Sequence, residues 1–197
     1  MTIITQCALG YEMTLDGTTP LHLAAEDGHL AICKLIIEHI EGDKNPGDDL
    51  GRTPLHFAAK HGHLKTFQFI MGKSDDKNPS TFDGTTPLHL AAEDGHLAIC
   101  KLIIDVIDGD KNPGDNLGRT PFHFAAKHGH LEICQLIMGR INDTNPLAMD
   151  ETTPLHLAAE NGHLETCKLI LGQIDGVNEF SKFMGCDNLQ ENGTNSK

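Results

Sequence analysis

The chain has 197 residues, 39% of them hydrophobic, with 28 acidic against 15 basic side chains and a formal net charge of −13. That surplus of carboxylates speaks against a nucleic-acid partner or an anionic membrane face, since both are held by clustered Lys and Arg, and the densest basic stretch is only Lys60-His61-Gly62-His63-Leu64-Lys65. No apolar run approaches the roughly 18 residues of a membrane helix, and the opening MTIITQCALGYEMTL lacks a basic n-region and an apolar core, so the expectation is a soluble, cytoplasmic protein without membrane insertion, the nucleus also being open.

Residues 1–15, with Ile3, Ile4, Ala8, Leu9 and Tyr11, precede the first complete unit. They are expected to form a partial repeat or cap over its open side, or to be what remains of a longer array. The first unit, 16–48, reads clearly. Thr19 suits a helix N-cap, and Pro20 fits the first helical position, where a missing N–H costs nothing. Leu21, Ala24 and Ala25 fall at i, i+3 and i+4 and make one narrow apolar face. Gly28 ends this short helix in a left-handed conformation. A second helix is predicted from about Leu30, with Cys33, Ile36, Ile37 and Ile40 on one face. After Gly42 the segment DKNPGDDLG is dense in turn formers and should double back as a hairpin-like loop.

The same unit returns over 49–82, 83–115, 116–149 and 150–176. Thr-Pro stands at 19–20, 53–54, 86–87, 120–121 and 153–154, at spacings of 34, 33, 34 and 33. From Asn45, Asn78, Asn112 and Asn145 to the following Thr is always eight residues, so the extra residue lies before the loop and the loop itself is under geometric constraint. Residues 16–64 and 83–131 differ at only five positions, 38, 39, 41, 49 and 55 in the first copy's numbering, which identifies a two-unit block copied in tandem. A fixed period of this length signals a stacked array, in which one unit cannot bury its apolar face alone and its neighbours do so. Short Ala-lined helices beside longer Ile- and Leu-lined ones predict an all-α, curved stack of about five repeats. Beyond 176, Gly176-Val177-Asn178 starts as another finger would, Phe180, Phe183 and Met184 suggest an improvised cap, and 177–197 ends in a polar tail expected to be disordered.

The stretch TPLHLAAEDGHLAICKLI resembles the ankyrin repeat, over roughly residues 14 to 176. The resemblance implies a right-handed solenoid of helix-turn-helix units with β-turn fingers and a non-catalytic role in holding other proteins. Two departures stand out: the fingers read KNP or TNP, and the last finger, MDETT, has Glu151 where the others have Gly, so distortion of that tip is expected.

After each Ala-Ala pair stand Glu26-Asp27, Lys60-His61, Glu93-Asp94, Lys127-His128 and Glu160-Asn161; before each capping Thr stand Thr18, Arg52, Thr85, Arg119 and Thr152. The resemblance implies that these positions line a concave groove and contact a partner, which makes the groove banded in charge. Such bands can merely neutralise one another on a solvated face, or can set register for a complementary protein and steer its approach.

The histidines His22, His56, His89, His123 and His156, and again His29, His63, His96, His130 and His163, recur once per unit and are read as architecture. The pairs His61/His63 and His128/His130 lie two units apart and cannot share an ion, so no metal site is expected. Cys33, Cys100, Cys134 and Cys167 share one helical phase and read as buried, reduced thiols. No catalytic motif stands in a fitting context, so the chain is read as no enzyme, with no cofactor and no small-molecule substrate. Its expected partner is another protein, held through the concave groove and the finger tips. The alternatives are a regulatory subunit that inhibits or targets a phosphatase or kinase, and a fragment of a larger anchoring array.

Overall fold

The computed structural model describes residues 13–174, which form ten α-helices in five pairs and no strand. The inner helices are α1 (Pro20–Glu26), α3 (Pro54–Lys60), α5 (Pro87–Glu93), α7 (Pro121–Lys127) and α9 (Pro154–Glu160). Each leads into an outer helix: α2 (Leu30–His39), α4 (Leu64–Met71), α6 (Leu97–Val106), α8 (Leu131–Met138) and α10 (Leu164–Ile174). The inner helices pack closely on one another, whereas the outer ones touch their neighbours more sparingly. This is the all-α stack of five units that the period predicts. The expected cap over residues 1–12, the final residues of the fifth unit and the segment 177–197 lie outside the described residues.

Each inner helix begins as its TPLH letters dictate. The Thr is an extended N-cap and the Pro takes the first helical position. The histidine two residues after the Pro turns back on the cap. Nδ1 of His22 accepts the backbone N–H of Thr19 at 3.1 Å, and His56, His89 and His123 repeat the contact. Because Nδ1 accepts, the ring proton sits on Nε2. Nε2 donates it forward to the next unit: His22 to the carbonyl of Arg52 (2.9 Å), His56 to Thr85 (3.1 Å), His89 to Arg119 (3.0 Å) and His123 to Thr152 (3.3 Å). Burial disfavours the charged form of these rings, bringing His56 and His89 down to about 4 and lowering His22 and His123 as well.

A second ladder runs the other way. His63 donates from Nε2 to the carbonyl of Glu26 (2.8 Å), His96 to Lys60 (2.9 Å), His130 to Glu93 (2.9 Å) and His163 to Lys127 (3.0 Å). The glycine before the outer helix is needed twice over. Gly28 has φ +70°, and a Cβ there would lie 2.4 Å from Nδ1 of His63.

The constant loop has a physical cause. Asn45 Oδ1 accepts the backbone N–H of Leu55 at 3.1 Å, ten residues on, and Asn78, Asn112 and Asn145 bind Leu88, Phe122 and Leu155 in the same way. One side chain thus ties the loop to the start of the next inner helix, and only the preceding outer helix is left to vary. It does so in step with the period, at 10, 8, 10 and 8 residues for α2, α4, α6 and α8. The lysine before the Asn closes that helix: Lys44 Nζ donates to the carbonyls of Ile37 and Ile40, Lys77 to Met71 and Ser74, and Lys111 to Ile107. Thr144 replaces it in the fourth loop.

Each finger is a three-residue hairpin closed by a type I-like turn and a left-handed residue. Asp48 N–H donates to Arg52 O (2.8 Å) and Gly51 N–H to Asp48 O (2.9 Å). Glu151, at φ +64°, adopts the conformation that the other fingers give to Gly. Its finger keeps both closing bonds, Ala148 N–H to Thr152 O (2.9 Å) and Glu151 N–H to Ala148 O (3.0 Å), so the expected distortion does not occur. The closing bonds and the neighbouring finger, which accepts Met149 N–H at Leu117 O (2.9 Å), hold the residue in its strained well.

The core is one continuous strip. Leu21, Leu55, Leu88 and Phe122 from the inner helices meet Ile37, Ile70, Ile104, Ile137 and Ile170 from the outer ones, all buried.

Candidate functional site

The paired residues after Ala-Ala close the C-terminal ends of the five inner helices, one pair per unit. Asp27, Lys60, His61, Asp94, Lys127, His128, Glu160 and Asn161 are exposed; Glu26 and Glu93 are half-buried. The partial burial has a cause in the next unit. His61 Nε2 lies 3.7 Å from Glu26 Oε1, and His128 Nε2 lies 3.9 Å from Glu93 Oε1. Each of these rings also stacks on its HGH partner, His61 on His63 at 6.3 Å and His128 on His130 at 6.2 Å between centroids. In each HGH pair one ring therefore belongs to a ladder and the other faces outward beside a carboxylate. The side-chain ammonium groups of Lys60 and Lys127 have no ion-pair or hydrogen-bond partner among the described residues.

The five positions before the capping Thr sit differently. Thr18 is buried, while Thr85 and Thr152 are half-buried. Their backbone N–H groups bind Asp16, Asp83 and Asp150 at 3.3, 3.1 and 3.0 Å. Hydrogen bonds from Thr14 and Thr18 hold the Asp16 carboxyl down at about 2, and similar bonds from Thr81 and Thr152 lower Asp83 and Asp150.

Arg52 and Arg119 are committed within their own fingers. Arg52 grips Asp48 Oδ2 through Nε and a terminal nitrogen, each at 2.7 Å, and the Asp48 side chain is fully buried. Asp48 Oδ1 accepts the N–H groups of Leu50 (2.9 Å) and Arg52 (2.8 Å). The guanidinium lies over Phe57 at 5.2 Å, and Phe57 meets His22 edge-on at 5.5 Å. Asp115, Arg119, Phe124 and His89 repeat the clamp. Sequence reasoning missed this device, although the recurring Asp-x3-Arg and the change from HLAA to HFAA in the same two units were its signal.

Cys33, Cys100 and Cys134 are buried, unpaired thiols, and desolvation pushes them up to about 11, 12 and 12; Cys167 is half-buried and unpaired. Among the described residues no three His, Cys, Asp or Glu side chains gather around one point, and no helix is long and apolar enough to cross a membrane. An open cavity of about 520 Å³ lies between the loops at Gly42–Asn45 and Lys73–Pro79, with Asp43, Asp75 and Asp76 facing Lys44 and Lys73. Lys44 is already bound to the end of α2.

A family model for ankyrin repeats in three copies matches residues 2–81 and 72–146, and a model for the single ankyrin repeat matches residues 150–179. No curated protein matches the chain.

Proposed function

The chain belongs to the ankyrin repeat family, and on that premise we propose that it is a non-catalytic interaction module that holds a partner protein along the banded ends of its inner helices. The division of labour among side chains supports this. The ladder histidines, the loop asparagines, the loop lysines and the Asp–Arg clamps are all consumed by the stack. Lys60 and Lys127 are charged, exposed and unengaged through their ammonium groups; Lys60 stands between Glu26-Asp27 and Glu93-Asp94, and Lys127 between Glu93-Asp94 and Glu160. A partner that presents acidic groups to these lysines and basic groups to Asp27, Asp94 and Glu160 would be held in one register. Of the histidines outside the ladders, His29, His61 and His128 lie beside carboxylates, His39 binds the Leu35 carbonyl and His156 the capping Thr153, and that dispersed arrangement favours binding over chemistry.

Charge reversal at Lys60→Glu with Lys127→Glu, read by affinity capture at low salt, tests the proposal. Partners recovered by the native chain should be lost from the double variant. Recovery of every partner at native levels would overturn the assignment. Arg52 and Arg119 are left untouched, because reversing either would strand a buried aspartate.

A further inference from the structure

Every finger carries one large apolar side chain in its two-residue turn: Leu15, Leu50, Phe82, Leu117 and Met149, between 54% and 101% exposed. Turns of this kind favour Gly, Asn, Asp and Ser, and these side chains bury nothing of the stack's core. Copying of the block accounts for the match between Leu50 and Leu117 but not for the other three. Positions 15, 82 and 149 are 67 residues apart and lie outside the identical stretch, yet Leu, Phe and Met keep the apolar class while changing identity. The tips are also fixed relative to one another. Asp49 N–H donates to Asp16 O (3.0 Å), Phe82 to Leu50 O (3.1 Å), Asn116 to Asp83 O (2.9 Å) and Met149 to Leu117 O (2.9 Å), so one backbone bond links each tip to the next.

We propose that this row of finger tips is a docking stripe for a basic, amphipathic α-helix of a partner protein. The proposal rests on the reading of the chain as a protein-interaction module, but it uses a different surface from the inner-helix ends. Two features select the occupant. Beside the apolar residue each turn holds Asp16, Asp49, Asp83 or Asp150, with Asn116 in the fourth finger, so the stripe is apolar and anionic together. The hydrogen bonds that Asp16, Asp83 and Asp150 accept keep them ionised. Units stack about 10 Å apart. A helix rising about 1.5 Å per residue advances that far in seven residues, which returns the side chain to nearly the same face. An extended strand covers the distance in about three residues, an odd number, and would turn every second side chain away from its tip. Lys or Arg flanking a heptad-spaced Leu would then meet the turn carboxylates.

The test uses a synthetic helical peptide with Leu at every seventh position and flanking Lys, labelled for fluorescence anisotropy, and a scrambled peptide of the same composition. The full chain should bind the first peptide at least about tenfold more tightly than the second. Leu50→Ser with Phe82→Ser and Leu117→Ser should remove that preference while leaving the thermal unfolding curve in place, because all three side chains are exposed. Lys60→Glu with Lys127→Glu should not weaken peptide binding, which separates this stripe from the inner-helix ends. Equal binding of both peptides, or undiminished binding by the triple variant, overturns the proposal. So does tip-dependent binding to neutral phosphatidylcholine vesicles in place of the peptide, or tip-dependent self-association in sedimentation, since either names a different occupant.

Discussion

Residues 18–37 and 85–104 are the same twenty letters, yet Ile32 in the first copy is 48% exposed and Ile99 in the second is 1% exposed. Ile36 is half-buried where Ile103 is fully buried, and Leu23 and Leu35 are exposed where Leu90 and Leu102 are half-buried. The local folds coincide: each copy forms a seven-residue and a ten-residue helix with the same capping contacts. What differs is company. The second copy has α3 and α4 on its N-terminal side, and the first has no described element there. In a stack, sequence sets the helices and position sets the burial.

The widest separation between the two copies is expected from one substitution made in each. Ile99→Ala should cost about 2–5 kcal/mol, as a fully buried aliphatic truncation does. Ile32→Ala should cost less than about 1 kcal/mol. Urea unfolding of the two variants measures both, and equal costs would show that the first copy is covered as well as the second.

Acid should attack the interfaces between units. His56 and His89 are held near 4, below the ordinary value of 6.5, so between those limits the unfolded chain binds more protons than the folded one. Stability is therefore complete above about pH 6.5 and declines as pH falls toward 4, with a slope of up to about 1.4 kcal/mol per pH unit for each such ring. Urea midpoints measured across that range should show the decline, and His89→Gln should make it shallower.

A smaller contrast sets an internal junction against the terminal one. Gly129 and Gly162 share a positive φ, but only Gly129 has a neighbouring ring, His163 Nδ1 lying 2.4 Å from where a Cβ would be. Both changes to Ala incur left-handed strain; Gly129→Ala should cost about 1 kcal/mol more, because it also displaces a hydrogen-bonded histidine. Equal thermal shifts would mean that the ring moves aside freely. Smallest is Glu151→Gly, which relieves strain in the last finger and should stabilise the protein by about 0.5–1 kcal/mol in the same assay.

Much of this was legible in the letters. Thr-Pro, Ala-Ala and Gly-His-Leu fix the helix starts, faces and stops by local rules, and the invariant Asn-to-Thr spacing announced a tether whose partner, the N–H of Leu55 and its equivalents, only the structure identifies. Less legible was anything that depends on a neighbouring unit. The charged pairs lie at the ends of the inner helices, with Glu26 and Glu93 half-buried and the rest exposed, but Arg52 and Arg119 did not read as occupied, because their grip on Asp48 and Asp115 depends on the finger's bend. Glu151 misled for a related reason: a local penalty suggested distortion, and the adjacent finger holds the shape regardless. The finger tips are expected from the letters to meet a partner, but their apolar side chains went unremarked because each looks incidental alone; aligned in space, they form a row.

The half-buried thiol of Cys167, in the last unit, and its fully buried equivalents Cys33, Cys100 and Cys134 give the molecule its own clock. A thiol held unionised in the core reacts with an alkylating reagent only when its unit opens. The order in which these four are labelled therefore records, unit by unit, how fraying travels inward from the ends, with the second unit silent because Phe67 takes the place of cysteine.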